Sequence, residues 1–445
     1  MATFTGTDAS ELFSQGDLSG TVIVDPPGSL PGDGGDTYAP GGGDDTVFGG
    51  LGGDMIDERD ATADGADLFL GGGGSDTLYG GADEDVLQGE GDDDYLYGGE
   101  AADLLEGGDG DDYLDGGTGR DRMFGGAGDD TFFFDLSARA GDTLTGRTLA
   151  NGGSGRDRLQ LSAPFDADIR VVVDLRKGLV TTLDEKWKLV SIENVEGSDG
   201  ARIYGSDKHN EIYSSGSSKV WALGGDDRVE SYYGTPEIDL GDGDDTGLGG
   251  GEEDEFHGGR GDDLILGRGG DDQIFGEAGN DRLYGDHEGD SGNGEDLLVG
   301  GAGNDILQGG FYSDTLYGGA GRDRFVFDSA FASKYDRLDE IRGGAPEGFS
   351  RSGSVDEAFE GPGSARGDRI DLRGIDAFQG PEGEDFENNA FTFRSTEQGG
   401  LWLRDRGDVT MVYGNVDTDA NAEFVLAIYD GDVKASEYTR ADFLL

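Results

Sequence analysis

Cysteine is absent from all 445 residues, which excludes disulfides, thiolate zinc sites and a cysteine nucleophile. Histidine is nearly absent: His209, His257 and His287 are the only three, and none lies in an H-E-x-x-H zinc motif. Positive charge is scarce as well. With 33 Lys and Arg against 96 Asp and Glu, the formal net charge is -63. That balance excludes nucleic acid as a partner and disfavours anionic lipid unless a multivalent cation intervenes. No uninterrupted apolar run reaches the ~18 residues of a membrane span. The opening stretch, MATFTGTDASELFSQGDLSG, has neither the basic start nor the apolar core of a signal peptide. The sequence predicts a soluble chain that stays in the cytosol or leaves it without a cleaved amino-terminal signal.

Glycine and aspartate fill the space left by these absences. Glycine supplies 88 residues, far above ordinary usage yet without the strict triplet of collagen. Its period is nine. The phrase G-G-x-G-x-D-x-U-x, with U apolar, is matched at every fixed position by units starting at Gly49, Gly71, Gly107, Gly116, Gly125, Gly152, Gly258, Gly300 and Gly318. Degenerate copies keep the same phase between them. Units run unbroken from Thr62 to Phe133, with Glu58 to Ala61 inserted ahead of them. A second block runs from Leu240 to Tyr284 and resumes from Ser291 to Val326 after the insertion Gly285 to Asp290. The organisation read from this is a lead-in cap over 1–39, a first repeat block over 40–133, a bridge over 134–221, a second block over 222–326 and a cap over 327–445. In the bridge, IRVVVDLRKGLVTTL and WKLVSIENVEGS are rich in β-branched residues and read as strands, a solenoid without regular ion sites. The repeat is expected to stop at Phe327. Beyond it, 343–366 reads as a long loop, and AFTFRS, GLWLRD, VTMVYGN and EFVLAIYDG read as an antiparallel β cap.

G-G-x-G-x-D followed by x-U-x is a turn plus a short strand, because glycine permits positive φ where the chain reverses and U points inward. Two units make one coil of 18 residues, so the fold class is an all-β solenoid. Sixth-position aspartates of alternate units then stack, Asp94, Asp112 and Asp130 on one side, Asp103 and Asp121 on the other. Unit charges ~4.8 Å apart repel by roughly 0.9 kcal/mol in water and about 3.5 kcal/mol at an effective dielectric of 20. One buried apolar side chain per unit is a small core to set against that. Carboxylates together with carbonyls that glycine leaves unshielded form the adaptable all-oxygen cage that calcium accepts and magnesium, reluctant to dehydrate, does not. The predicted ligands in the first block are Asp45, Asp54, Asp67, Asp76, Asp85, Asp94, Asp103, Asp112, Asp121 and Asp130, followed by Asp157. Those in the second are Asp227, Asp245, Asp254, Asp263, Asp272, Asp281, Asp296, Asp305, Asp314 and Asp323. Turn carbonyls such as those of Gly107, Gly110, Gly116, Gly119, Gly125, Gly128, Gly300 and Gly303 complete the set. The repeats are expected to be largely disordered without calcium and to fold on binding several ions.

The nonapeptide resembles the calcium-binding repeat of the repeats-in-toxin (RTX) family, which implies a parallel β-roll with calcium between successive turns. This likeness covers roughly 40–133 and 222–326. The remainder resembles the carboxyl-terminal region of serralysin-type secreted proteases through GDRIDLRGIDAF at Gly367 to Phe378, AFTF at Ala390 to Phe393 and the terminal ADFLL. The resemblance implies a secreted, extracellular or cell-surface protein, whose uncleaved tail, here Asp442, Phe443, Leu444 and Leu445, is read by a type I secretion apparatus. Low calcium inside the cell would keep the chain threadable. Departures accompany the likeness: the protease zinc motif is missing, and the second glycine of the unit is replaced by Glu90, Arg268 and Glu277. The fourth is replaced by Asp83 and Ala101. The role expected is a non-enzymatic protein contacting matrix polysaccharide or other cells. The alternatives are a non-catalytic remnant or accessory part of a secreted hydrolase or polysaccharide-modifying enzyme, and a membrane-active secreted protein.

Other patterns read as structural. Asp417, Asp419 and Asn421 imitate an EF-hand loop, but Ala422 and Ile428 stand where it needs Gly and Glu. Arg-Gly-Asp at Arg260 fills variable repeat positions, and the same tripeptide recurs at Arg366 and Arg406. The histidines read as surface residues. Trp187, Trp221, Trp402 and ninth-position tyrosines such as Tyr79 and Tyr97 read as strand packing, with a glycan-binding stripe as the alternative.

Overall fold

The computed structural model describes residues 12–14, 22–24, 35, 37–40, 44–58, 65–135, 149–162, 171–182, 186–286, 294–327, 339–342, 368–373, 392–393, 400–415, 424–429 and 433–445. The loop expected at 343–366 and residues 416–423 of GNVDTDANAEF lie outside these, as does most of AFTFRS. The chain divides into two compact units, Met1–Ser206 and Asp207–Leu445, so the division falls inside the strand-rich bridge. Each unit is a parallel β-roll. Among the described residues the only helical element is a 3-10 turn, Arg440–Asp442.

In the first unit successive strands alternate between two parallel sheets. Tyr95–Ala101, Tyr113–Gly119 and Thr131–Asp135 adjoin in one, Val86–Gly91, Leu104–Asp109 and Arg122–Ala127 in the other. Tyr95 faces Tyr113 and Leu104 faces Arg122. The register is held by the residue after each aspartate: the Tyr113 N–H donates to the Asp94 carbonyl at 2.8 Å, and that of Thr131 to Asp112 at 2.7 Å. Side chains alternate across a strand, so the eighth residue of each unit turns inward. Leu78, Leu87, Leu96, Leu105, Leu114 and Phe132 are fully buried there, fed alternately from the two sheets. Insertions lengthen a coil without changing its register. The spacing between stacked aspartates is 22 residues across the 58–61 insertion and 27 between Asp130 and Asp157. In the bridge, Val172–Asp174 pairs antiparallel with Leu179–Thr181, which pairs antiparallel with Lys186–Val190. That excursion returns to the roll, since Lys186–Val190 is parallel to Leu149–Ser154.

The second unit repeats the scheme. Arg228–Ser231, Thr246–Leu248, Leu264–Arg268, Arg282–Asp286, Ile306–Gln308 and Arg324–Val326 succeed one another in one parallel sheet. Glu237–Asp242, Glu255–Arg260, Gln273–Ala278, Leu297–Gly303 and Thr315–Gly321 form the other. The roll does not end at Phe327. Asp339–Arg342 continues from Thr315–Gly321, and Arg369–Asp371 continues from Arg324–Val326. It runs on because DEIR at Asp339 and DRID at Asp368 keep the D-x-U-x half of the unit, which is all the strand requires, after the glycines have gone. Phe443–Leu444 adds a further parallel strand to Arg369–Asp371. The antiparallel cap is Gly400–Asp405, Thr410–Asn415 and Phe424–Tyr429. Its last strand also joins the roll, parallel to Asp339–Arg342.

Candidate metal centres

The predicted aspartates stand in columns. Within the first unit one column contains Asp45, Asp67, Asp85, Asp103 and Asp121, and another Asp54, Asp76, Asp94, Asp112, Asp130 and Asp157. Each backbone N–H donates to Oδ1 of the aspartate one coil further on, as from Asp94 to Asp112 at 2.9 Å and from Asp103 to Asp121 at 3.0 Å. The second unit builds one column through Asp227, Asp245, Asp263, Asp281, Asp305 and Asp323. Its other column passes through Asp254, Asp272, Asp296 and Asp314. All of these side chains are buried, none above 3 % exposed. A second ladder of opposite sense runs outside them, where Asp111 donates its N–H to Asp93 and Asp129 donates to Asp111, on exposed carboxylates.

In most of the inner carboxylates one oxygen is therefore used, and the other is not. Oδ2 of Asp76, Asp94, Asp103, Asp112, Asp130, Asp263, Asp272 and Asp305 is buried and accepts no hydrogen bond. It faces the first glycine of its own unit. A Cβ on Gly98 would lie 2.5 Å from Asp103 Oδ2 and 2.8 Å from the carbonyl oxygen of Gly116 on the next coil; on Gly258 the distances are 2.5 Å to Asp263 Oδ2 and 2.7 Å to the Gly276 oxygen. The first-position carbonyls of Gly107, Gly116, Gly125 and Gly300 all face such a cradle on the preceding coil. The fourth-position carbonyls of Gly110 and Gly303 face the opposite way, towards Gly128 and Gly321. Orphaned carboxylate oxygens beside bare carbonyls, in a space only glycine leaves open, make a hard all-oxygen donor set. That set fits calcium.

Electrostatics point the same way. Burial pushes the Asp103 carboxyl up to about 8, the coil-to-coil backbone hydrogen bond holds it down in part, and the carboxylates of Asp121 and Asp85 raise it further. Burial likewise raises Asp76, Asp130 and Asp263 to about 8 and Asp272 to about 9. Asp112 and Asp121 rise only to about 6. Bound calcium would hold these groups ionised.

Sequence reasoning missed several members. Asp339 and Asp368 extend the columns of the second unit, accepting from the N–H groups of Asp314 at 3.0 Å and Asp323 at 2.7 Å. Glu193 accepts from Asp157 at 3.4 Å. Glu58, at the inserted segment, is buried beside Asp45 and Asp67, one carboxylate oxygen of each lying within 4.8 Å of the others. Four of the five replaced glycines keep the turn conformation at a cost: Glu90, Ala101, Arg268 and Glu277 hold φ of 79°, 80°, 78° and 73°, roughly 1–2 kcal/mol each for a residue with a Cβ.

Residues read as structural pack as such. Tyr79 and Tyr97 stack on one another at 4.7 Å and Trp402 on Tyr413 at 5.5 Å, so ring faces meet ring faces. The side chain of Trp187 lies outside the described residues, as does His287. His257 is packed rather than free on the surface, stacked on Phe275 at 4.8 Å with Glu255 and Glu277 each at 3.2 Å. Burial lowers its pKa, and the two carboxylates outweigh burial and raise it.

The family model for the RTX calcium-binding nonapeptide repeat matches residues 62–96, 70–105, 97–132, 239–274, 257–286 and 290–325. No curated protein matches the chain. Among solved structures, the AlgE6R3 subunit of the Azotobacter vinelandii mannuronan C5-epimerase is similar at 22% identity, over 43% of this chain and 78% of that one, with a TM-score of 0.20. With the nonapeptide matched in both roll blocks and its aspartates aligned in columns, the chain carries RTX calcium-binding nonapeptide repeats in each of its two units.

Proposed function

We propose that the protein is exported unfolded and folds on calcium outside the cell, where it serves as a non-enzymatic extracellular or cell-surface protein contacting matrix polysaccharide. The observation that carries this reading is the orphaned Oδ2 repeated along every column. A roll that buries so many ionised carboxylates is stable only with a cation bound. The tail supports the export half. Asp442 is buried, its Oδ2 accepts from the Thr439 N–H at 2.6 Å, and Phe443 is packed in the sheet. An exporter reading those residues must meet them before the second unit folds. For the partner, the exposed ladder of Asp93, Asp111 and Asp129 offers regular carboxylates that calcium bridges to an acidic polysaccharide.

Far-UV circular dichroism of the chelator-treated full chain at pH 8 is the direct test. A cooperative gain of β signal is expected on adding calcium, with none on adding magnesium. Complete β structure in chelator would overturn the reading. Export is tested separately by co-expression with a type I exporter, where deleting residues 442–445 is expected to retain the chain in the cell. Undiminished export of the deletion would refute that half alone.

A further inference from the structure

One turn of the second unit breaks the rule that governs the others. The backbone register marks which residues occupy the aspartate position, and at its start the occupants are neutral. Arg228 donates its N–H to the carbonyl of Asn210, Glu237 to that of Ser218 and Glu255 to that of Pro236. Asn210 stands one coil before Asp227, and Ser218 and Pro236 stand two coils and one coil before Asp254. Asn210 and Ser218 bring no charge. Pro236 brings neither a carboxylate nor an N–H. Asp254 shows the result. The N–H that would reach its Oδ1 does not exist, Oδ2 accepts from Gly250 at 2.7 Å, and Oδ1 is buried without a hydrogen bond.

Into this gap reaches Arg268, which the sequence shows only as a missing second glycine. Its Nη1 donates to the Gly249 carbonyl at 3.0 Å, and its Nη2 to Glu230 Oε1 at 3.3 Å. Gly249 is the first glycine of its unit, the position whose carbonyl elsewhere faces the metal cradle of the preceding coil. Glu230 belongs to that preceding coil, and its other oxygen accepts from Arg228 at 2.9 Å. A planar cation with five donors, always charged, is suited to satisfying a carbonyl and carboxylates at once.

We propose that Arg268 takes the place of a calcium ion between the coil carrying Pro236 and the coil carrying Asp254, so that the first coils of the second unit fold without metal and template the calcium-loaded coils after them. This rests on the calcium reading of the columns. The guanidinium supplies a fixed positive charge against the first-position carbonyl of Gly249 and the half-buried Glu230 carboxylate, as an ion would elsewhere, and Asn210, Ser218 and Pro236 add no charge to be neutralised. The positive φ at Arg268 disfavours any side chain there, so a glycine would relieve strain while removing the cation.

Amide hydrogen exchange of the full chain, in chelator and in calcium at neutral pH, tests this. In chelator the amides of Arg228–Ser231, Glu237–Asp242 and Thr246–Leu248 are expected to exchange at least about tenfold more slowly than those of Leu297–Gly303, while calcium protects both sets. Arg268→Gly is expected to abolish that difference in chelator although it relieves the backbone. Arg268→Met, which keeps the stem and the strain but not the charge, is expected to do the same. Equal exchange of the two sets in wild type, or protection in chelator unchanged or increased by Arg268→Gly, would overturn the proposal. If calcium alters exchange nowhere in the chain, the calcium reading fails first and this inference with it.

Discussion

Acidifying the calcium-free protein from pH 8 to about 4.5 is expected to restore β structure that chelation removes. The column aspartates have folded-state values well above the ordinary 3.8: about 8 for Asp76, Asp103, Asp130 and Asp263 and about 9 for Asp272, in each case chiefly through burial. The folded state therefore binds more protons than the unfolded state between pH 4 and pH 8. A raised value means that the stability is fully present below the unfolded value and is lost as pH rises through the folded one. For Asp263 the penalty at pH 8 is of the order of 5 kcal/mol. A handful of such groups exceeds the roughly 5–15 kcal/mol that holds an ordinary domain together. Protons and calcium are thus alternative ways to neutralise the same columns. In calcium the sign reverses: the concentration needed for half-folding should rise as pH falls from 8 to 6, because protons compete for the ligands. Circular dichroism against pH, with and without calcium, measures both, and a calcium-free β signal that falls steadily on acidification would contradict the electrostatic account.

The same columns show what the sequence carried and what it did not. Period and phase placed Asp94, Asp112 and Asp130 together and Asp103 and Asp121 apart from them, because an 18-residue coil repeats the backbone faithfully wherever glycine supplies the turn. The extension through Asp339 and Asp368 was hidden because the turn signal had gone and only D-x-U-x remained, too short a phrase to distinguish from any strand entry. Glu58 was hidden for a different reason: an insertion has no register, so its burial beside Asp45 and Asp67 depends on three-dimensional closure of the coil. The hairpin at Val172–Asp174 and Leu179–Thr181 was legible as strands but not as an excursion, since β-branched residues specify extension and leave the pairing partner open. Arg268 was visible only as a defect. Its reach to Gly249 and Glu230 spans 19 and 38 residues, which local spacing cannot reveal.

Replacing Gly258 by alanine is expected to disable one ion site while leaving the backbone conformation allowed. Its φ lies outside the left-handed range, so strain is not the issue. The new methyl would instead meet Asp263 Oδ2 at 2.5 Å and the Gly276 carbonyl oxygen at 2.7 Å, the two groups that the cradle presents to a metal. Overpacking alone costs about 1–3 kcal/mol, and loss of the ion returns the burial penalty of Asp263. The control lies in the preceding nine-residue unit: a Cβ on Gly251 meets nothing within 4 Å. Gly251→Ala should leave the calcium midpoint of folding within error, whereas Gly258→Ala should raise it several-fold and reduce the calcium bound per chain at saturation, measured by equilibrium dialysis. Equal behaviour of the two variants would mean that the space beside Oδ2 is not where the ion sits, and the carbonyl and carboxylate geometry would then have to serve packing alone.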